Sequence, residues 1–209
     1  SLYQQSLEIF QRAGDLYGQV QVLVNLGNLA WLSDELDSSF ALHQQALAIV
    51  QDLGDAKLEG QVLTGLGDTF RAKGQYVEAE QALQDAVYRK KSAGDVRSLK
   101  HTYLSLGALY QNAKRPEEAQ KAYEQALEYA RQQKDQRIEA VTLINLSTLL
   151  LPQMRLEKAY RYLDAAEAIA SEQDYRDCLA WIADQRGDLE LFREEPNAEH
   201  LLQYFFEAL

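Results

Sequence analysis

The same residues return at a fixed interval along this chain, and that interval constrains the fold more than any other feature. Gly14-Asp15, Gly54-Asp55 and Gly94-Asp95 are evenly spaced, and Lys134-Asp135 keeps the spacing. Twelve residues further on, Leu26-Gly27, Leu66-Gly67, Leu106-Gly107 and Leu146-Ser147 recur with the same period of forty. Ala46, Ala86, Ala126 and Ala166 form a third series. A fixed period of this size defines an array in which each unit buries its apolar face against its neighbours. The 209 residues are therefore expected to form one elongated body, where length alone would suggest one or two globular cores.

Each unit reads as two helices. Between Asp55 and Gly94, Leu58, Val62, Leu63, Leu66 and Phe70 fall at helical spacing. Lys73-Gly74 interrupts the stripe, and Tyr76, Ala79, Leu83, Ala86 and Val87 resume it. No segment alternates with the two-residue period of a strand, so an all-α fold without a sheet is expected. The Gly-Asp dipeptide has a mechanical role. Glycine takes the left-handed backbone just past a helix end, and aspartate accepts bonds from the free amides that open the next helix. Lys134 should hold the same turn at a cost under ~1 kcal/mol. Gly27, Gly67, Gly107 and Ser147 lie inside helices, where glycine costs roughly 1 kcal/mol against alanine. With Ser39, Ala79, Ala119 and Ala159 they are expected to mark where the two helices of a hairpin cross.

Composition excludes several function classes. The formal net charge is −11, which repels phosphate backbones and argues against nucleic-acid binding. The one short basic cluster, Arg89-Lys90-Lys91, reads as cations placed near a helix C-terminus. A single cysteine, Cys178, precludes an internal disulfide and fits a reducing, cytoplasmic setting. No apolar run approaches the ~20 residues that span a bilayer, so no membrane partner is expected.

The leucine-glycine pair, an aromatic or apolar residue three positions later, and then spaced alanines resemble the tetratricopeptide repeat. Phe70 and Tyr110 follow Leu66-Gly67 and Leu106-Gly107 in that way, with Ala30 and Leu150 at the equivalent places. The usual repeat is about 34 residues long, and the unit here is six longer. Asn25-Leu26-Gly27-Asn28 and the stretch from His43 to Asp55 are similar to the long-repeat subgroup of Pins/LGN-type spindle-orientation adaptors and bacterial regulators. The resemblance implies a right-handed superhelical solenoid of antiparallel helix hairpins, spanning residues 1–209 as a single domain. Residues 1–14 would be the second helix of a truncated repeat. Residues 15–54, 55–94, 95–134 and 135–172 would be full repeats, and 173–209 a degenerate repeat with a capping helix. Leu2 to Leu7 align with Leu42 to Leu47, so the segment is expected to come from a larger protein.

Toward the C-terminus the register is expected to slip, with the junction one residue early at Asp174 and a short helix or turn from Asp188 to Glu195, ended by Pro196. Asn197 is expected to cap a last helix, 198–209, whose Leu201, Leu202, Tyr204, Phe205, Phe206 and Leu209 are apolar. Packed on Trp181 and Ile182 it would close the array; left exposed it would support a homodimer.

Nothing points to catalysis. His43, His101 and His200 fall on different repeats, no phosphate-binding loop or metal motif is present, and no enzyme activity, cofactor or metal is expected. In the family the first helices of successive hairpins line a concave surface that binds peptides. Carried onto this chain, those positions are Gln21, Asn25, Asn28 and Trp31, then Gln61, Thr64, Asp68 and Arg71. His101, Ser105 and Gln111 follow, and finally Val141, Asn145 and Thr148. Amides suit such a surface because each offers both a donor and an acceptor. Repeats that clamp a chaperone's terminal carboxylate use several cations there, as do spindle adaptors that grip acidic peptides. Here Arg71 is the sure cation. A peptide or protein partner without strong preference for acidic groups is therefore expected, in a protein-interaction scaffold. The alternatives are a peptide- or ligand-sensing module of a signalling or transcription regulator, and self-association through residues 198–209.

Overall fold

The computed structural model describes residues 2–192, and beyond them residues 200, 203, 204, 206 and 207. The expected apolar helix lies for the most part outside the described residues, as do its cap Asn197 and its Leu201, Leu202, Phe205 and Leu209. Of the rest, Phe206 is exposed.

Among the described residues up to 192 there is no strand. The helices are α1 (Leu2–Ala13), α2 (Leu16–Leu32), α3 (Leu36–Leu53), α4 (Ala56–Ala72), α5 (Tyr76–Ser92) and α6 (Val96–Asn112). They continue as α7 (Pro116–Gln132), α8 (Gln136–Leu150), α9 (Leu156–Glu172) and α10 (Arg176–Leu191), with one 3-10 turn at Leu151–Gln153. The all-α fold class read from the sequence is the one observed.

The turns show why the helices stop where they do. Every twentieth residue from Gly14 to Asp174 adopts a left-handed backbone, with φ between 52° and 74°. At most of these turns the following amide reaches back to the carbonyl five residues earlier, as in Asp15 to Phe10 at 2.9 Å and Asp95 to Lys90 at 2.8 Å. Lys134 holds this turn at φ 54° without glycine. Asp15, Asp55 and Asp135 cap the next helix, accepting from the amides of Gly18, Leu58 and Ile138 at 2.9, 3.0 and 3.1 Å. Asp95 departs from the pattern and accepts from the Ser98 hydroxyl instead.

Contacts divide the chain into two compact units, residues 1–113 and 114–209. In the first, α2 packs on α3 and α4 on α5, and these hairpins stack on one another. Val20, Leu23, Val24, Ala46, Val50, Leu58, Val62 and Leu66 form the core between them. The first helices also touch one another directly, α2 with α4 and α4 with α6, whereas contacts among α1, α3 and α5 are at most marginal. When one layer of a stack packs more closely than the other, the stack curves toward it. The α2–α4–α6 face is the inner one.

The hairpin crossings differ in detail from the expectation. A Cβ at Gly67 would lie 2.5 Å from Leu83 Cγ, and one at Gly27 would lie 2.6 Å from His43 Cε1. The notch therefore receives a large side chain sixteen residues on, rather than the small residues at Ser39 and Ala79.

In the second unit α8 packs on α7, α9 and α10, around the buried Leu143, Ile144, Leu163, Ile182 and Leu189. The expected slip after Ser171 does not occur. Asp174 itself takes the left-handed turn one full period after Lys134, and Gly187 is buried one full period after Ser147. Of the segment expected as a short helix or turn from Asp188 to Glu195, Asp188 to Leu191 are the end of α10, and residues 193–195 lie outside the described residues. What is lost there is the aspartate cap: Tyr175 precedes α10 and makes no side-chain cap bond.

Candidate functional site

The positions singled out in the first unit stand on α2, α4 and α6, the helices of its inner layer. Gln21, Asn25, Asn28, Gln61 and His101 are exposed, while Trp31, Thr64, Asp68, Arg71, Ser105 and Gln111 are half-buried. Four of the half-buried residues form a chain across the three helices. The Arg71 guanidinium carbon lies 5.9 Å from the centre of the Trp31 ring, a cation–π distance. One turn earlier on α4, Asp68 faces Arg71 with Oδ1 3.6 Å from Nε. Its other oxygen accepts from the Ser105 hydroxyl of α6 at 2.9 Å.

A second cluster adjoins the first, and its key residue departs from the sequence expectation. Lys90 reads in the sequence as one of three cations placed near a helix C-terminus, here the end of α5. It is instead only 2% exposed, and its Nζ donates to Thr102 Oγ1 at 2.7 Å and to Thr64 Oγ1 at 2.9 Å. The long side chain reaches them because residue 60 has none: a Cβ on Gly60 would stand 2.7 Å from Lys90 Cγ. An amphipathic stem laid through such a notch brings an ammonium from the outer layer to the inner one.

Burial sets the electrostatics of both clusters. It pushes the Asp68 carboxyl above its ordinary range, an effect opposed by Arg71, the Ser105 hydroxyl and Lys90. Burial likewise pushes Lys90 down to about 8, against Asp95 and Asp68, so the ammonium remains charged at neutral pH. Arg71 and Lys90 thus share Asp68 as a counter-charge, with Asp95 a second acid acting on Lys90.

His43 is the deepest polar group nearby. Its ring is 0% exposed, wedged between Gly27 of α2 and Gly65 of α4, where a Cβ at residue 65 would collide with Nε2. Ser39 Oγ lies 3.4 Å from Nδ1, and Ser39 in turn bonds Thr69 at 2.9 Å. Nε2 has no hydrogen-bond partner. Burial lowers the imidazole to about 4, opposed by Ser39, so the ring is neutral at physiological pH. This places His43 in the core.

In the second unit Val141, Asn145 and Thr148 are half-buried on α8. Asn145 Nδ2 donates to the Val141 carbonyl at 3.0 Å. Thr148 donates to Gln185 Oε1 of α10 at 2.8 Å. No group of three or more histidine, cysteine, aspartate or glutamate side chains among the described residues could hold a metal ion. Nor is any helix among them long and apolar enough to cross a membrane.

Hairpins of near-equal helices, with turns that repeat in register, define a helical-repeat protein. Residues 19–92 and 101–133 both match the tetratricopeptide repeat, and the chain belongs to that family. The general use of this fold is as a scaffold for protein–protein interaction. No curated protein sequence is significantly similar to the chain. Among solved structures, BtubC (BKLC) from P. vanneervenii is similar at 18% identity and TM-score 0.74, over 99% of this chain and 86% of that one. A Rap protein complexed with competence and sporulation factor is similar at 15% identity and TM-score 0.84, over 98% of this chain and 56% of that one. A signal-transduction ATPase with a tetratricopeptide-repeat sensor, from Pyrococcus horikoshii, is similar at 16% identity and TM-score 0.71. The match there covers 99% of this chain but 32% of that protein.

Proposed function

We propose that the chain holds an extended polypeptide segment against the α2–α4–α6 face. The observation that carries this reading is the composition of that face. Gln21, Asn25, Asn28 and Gln61 offer exposed amides along α2 and α4, Trp31 is half-buried, and Arg71 and Asp68 face each other. Amides can bond the backbone of a peptide of any sequence, and an aromatic shelf adds apolar contact area. Recognition of this kind depends little on salt, because screening acts on unpaired charges.

An array of immobilised extended peptides, probed with the labelled protein, tests the reading. The wild-type chain should retain a subset of peptides with little change on adding salt, and a folded Asn28→Arg variant should lose them. Retention that is unchanged in the variant would place recognition elsewhere.

A second reading is a sensing segment of a larger regulator. Its support is the likeness in fold to a Rap protein bound to competence and sporulation factor and to a multidomain ATPase with a repeat sensor. The two readings share the inner face and differ in what the bound segment does to an attached domain.

A further inference from the structure

Arg71 and Asp68 stand on adjacent turns at the C-terminal end of α4, the middle helix of the inner layer. A guanidinium in such a place would ordinarily offer its fork of donors to a ligand carboxylate. Here the face carries its own carboxylate. Asp68 cannot swing away freely, because Ser105 of α6 holds its second oxygen at 2.9 Å. Arg71 is held from the other side by the Trp31 ring, and its side chain is only 17% exposed. A ligand carboxylate arriving at Arg71 would therefore meet Asp68 close by, like charge against like charge. A neutral acceptor, such as a peptide carbonyl or a side-chain amide, meets no such repulsion.

We propose that Asp68 is the specificity-determining residue of the inner face, a built-in counter-ion for Arg71 that makes the face select neutral over acidic polypeptide segments. The inference rests on the groove-binding reading above. Asp68 acts through Arg71, so it is a positioning residue, and removing its charge should change selectivity more than total binding. With Asp68→Asn the amide still fits and still accepts from Ser105, while Arg71 is left to a ligand.

The test uses peptides in matched pairs, each pair differing only in carrying Asp and Glu or Asn and Gln at its central positions. The ratio of acidic to neutral binding is read for the wild-type chain, Asp68→Asn and Asp68→Asn/Arg71→Gln, with folding checked by circular dichroism and thermal melting. Asp68→Asn should raise the ratio about tenfold and make binding salt-sensitive, and the double variant should return it to the wild-type value. A folded Asp68→Asn protein with an unchanged ratio would overturn the assignment while leaving groove binding intact. Should Asp68→Asn not fold, Ser105→Ala, which loosens the carboxylate without removing it, must shift the ratio in the same direction; no shift overturns the assignment. Failure of the wild-type chain to retain any peptide would overturn groove binding itself.

Discussion

In residues 1–113 the left-handed turn position is glycine at 14, 54, 74 and 94, with Asp34 the exception; in residues 114–209 it is Lys114, Lys134, Met154 and Asp174. The backbone makes the same turn in both units at different conformational cost. The inner faces contrast in the same manner. Asp68 and Ser105 meet across α4 and α6, and Thr148 and Gln185, each two repeats further on, meet across α8 and α10. One contact is charged and linked to Arg71; the other is neutral. The wedge at the hairpin crossing is His43 in one repeat and Leu83 in the next, and the equivalent Tyr123 and Leu163 are fully buried. Register thus fixes geometry, and chemistry is then set position by position.

The largest effect expected from breaking this contrast concerns the wedge. In the folded chain His43 stays neutral down to a pH of about 4, while in the unfolded chain it takes up a proton near its ordinary 6.5. Stability is therefore complete above the unfolded value and is lost as pH falls toward the folded one, by about 3 kcal/mol. His43→Leu, copying Leu83 and Leu163, should remove that part of the acid sensitivity, as urea denaturation of both proteins at neutral and mildly acid pH would show.

Closing the notch that receives this ring should come next. Gly65→Val puts a branched side chain where even a Cβ is too close to His43, and should destabilise the first unit by about 1–3 kcal/mol. Hydrogen exchange should locate the loss in α2 to α4 and leave α8 to α10 protected as before; a loss spread evenly over both units would contradict the unit division.

The two inner-face contacts offer a smaller, paired test. Ser105→Ala leaves a half-buried carboxylate short of a donor, whereas Thr148→Val breaks a bond between neutral groups worth about 1 kcal/mol. Denaturant midpoints should show the larger loss for Ser105→Ala. Equal losses would mean that the Asp68 network is no more tightly held than its neutral counterpart.

Lys134→Gly should have the smallest effect, a gain under ~1 kcal/mol as the left-handed turn loses its Cβ penalty. A lowered melting temperature would show that the lysine side chain contributes something the backbone argument omits.

Helices, turns and most caps were legible in the sequence because they depend on residues close together in the chain and repeat at one interval. The burial of Lys90 and the wedging of His43 were not, because each depends on a cavity supplied by a different helix. A signal was nevertheless present. Three glycines stand outside the repeating series, Gly18, Gly60 and Gly65, and each faces a large side chain: Phe10, Lys90 and His43 respectively. The alignment of repeats hides such residues, since it draws attention to what recurs. Likewise the spacing that put Asp68, Arg71 and Ser105 on one face could not show that Asp68 and Arg71 neutralise each other.

Those unmatched glycines have a consequence for how the array can be rearranged. Repeats sharing one period could in principle be exchanged, or could pair one step out of place, since the apolar stripes would still meet. His43 belongs to the repeat that begins at Asp15 and needs Gly65 from the next; Lys90 needs Gly60 of its own repeat and Thr102 of the one after. Each is a key cut for a single lock. The order of the repeats is written into the chain by these few pairs, so a transplanted copy of the second repeat would fit its neighbours in outline and jam in detail.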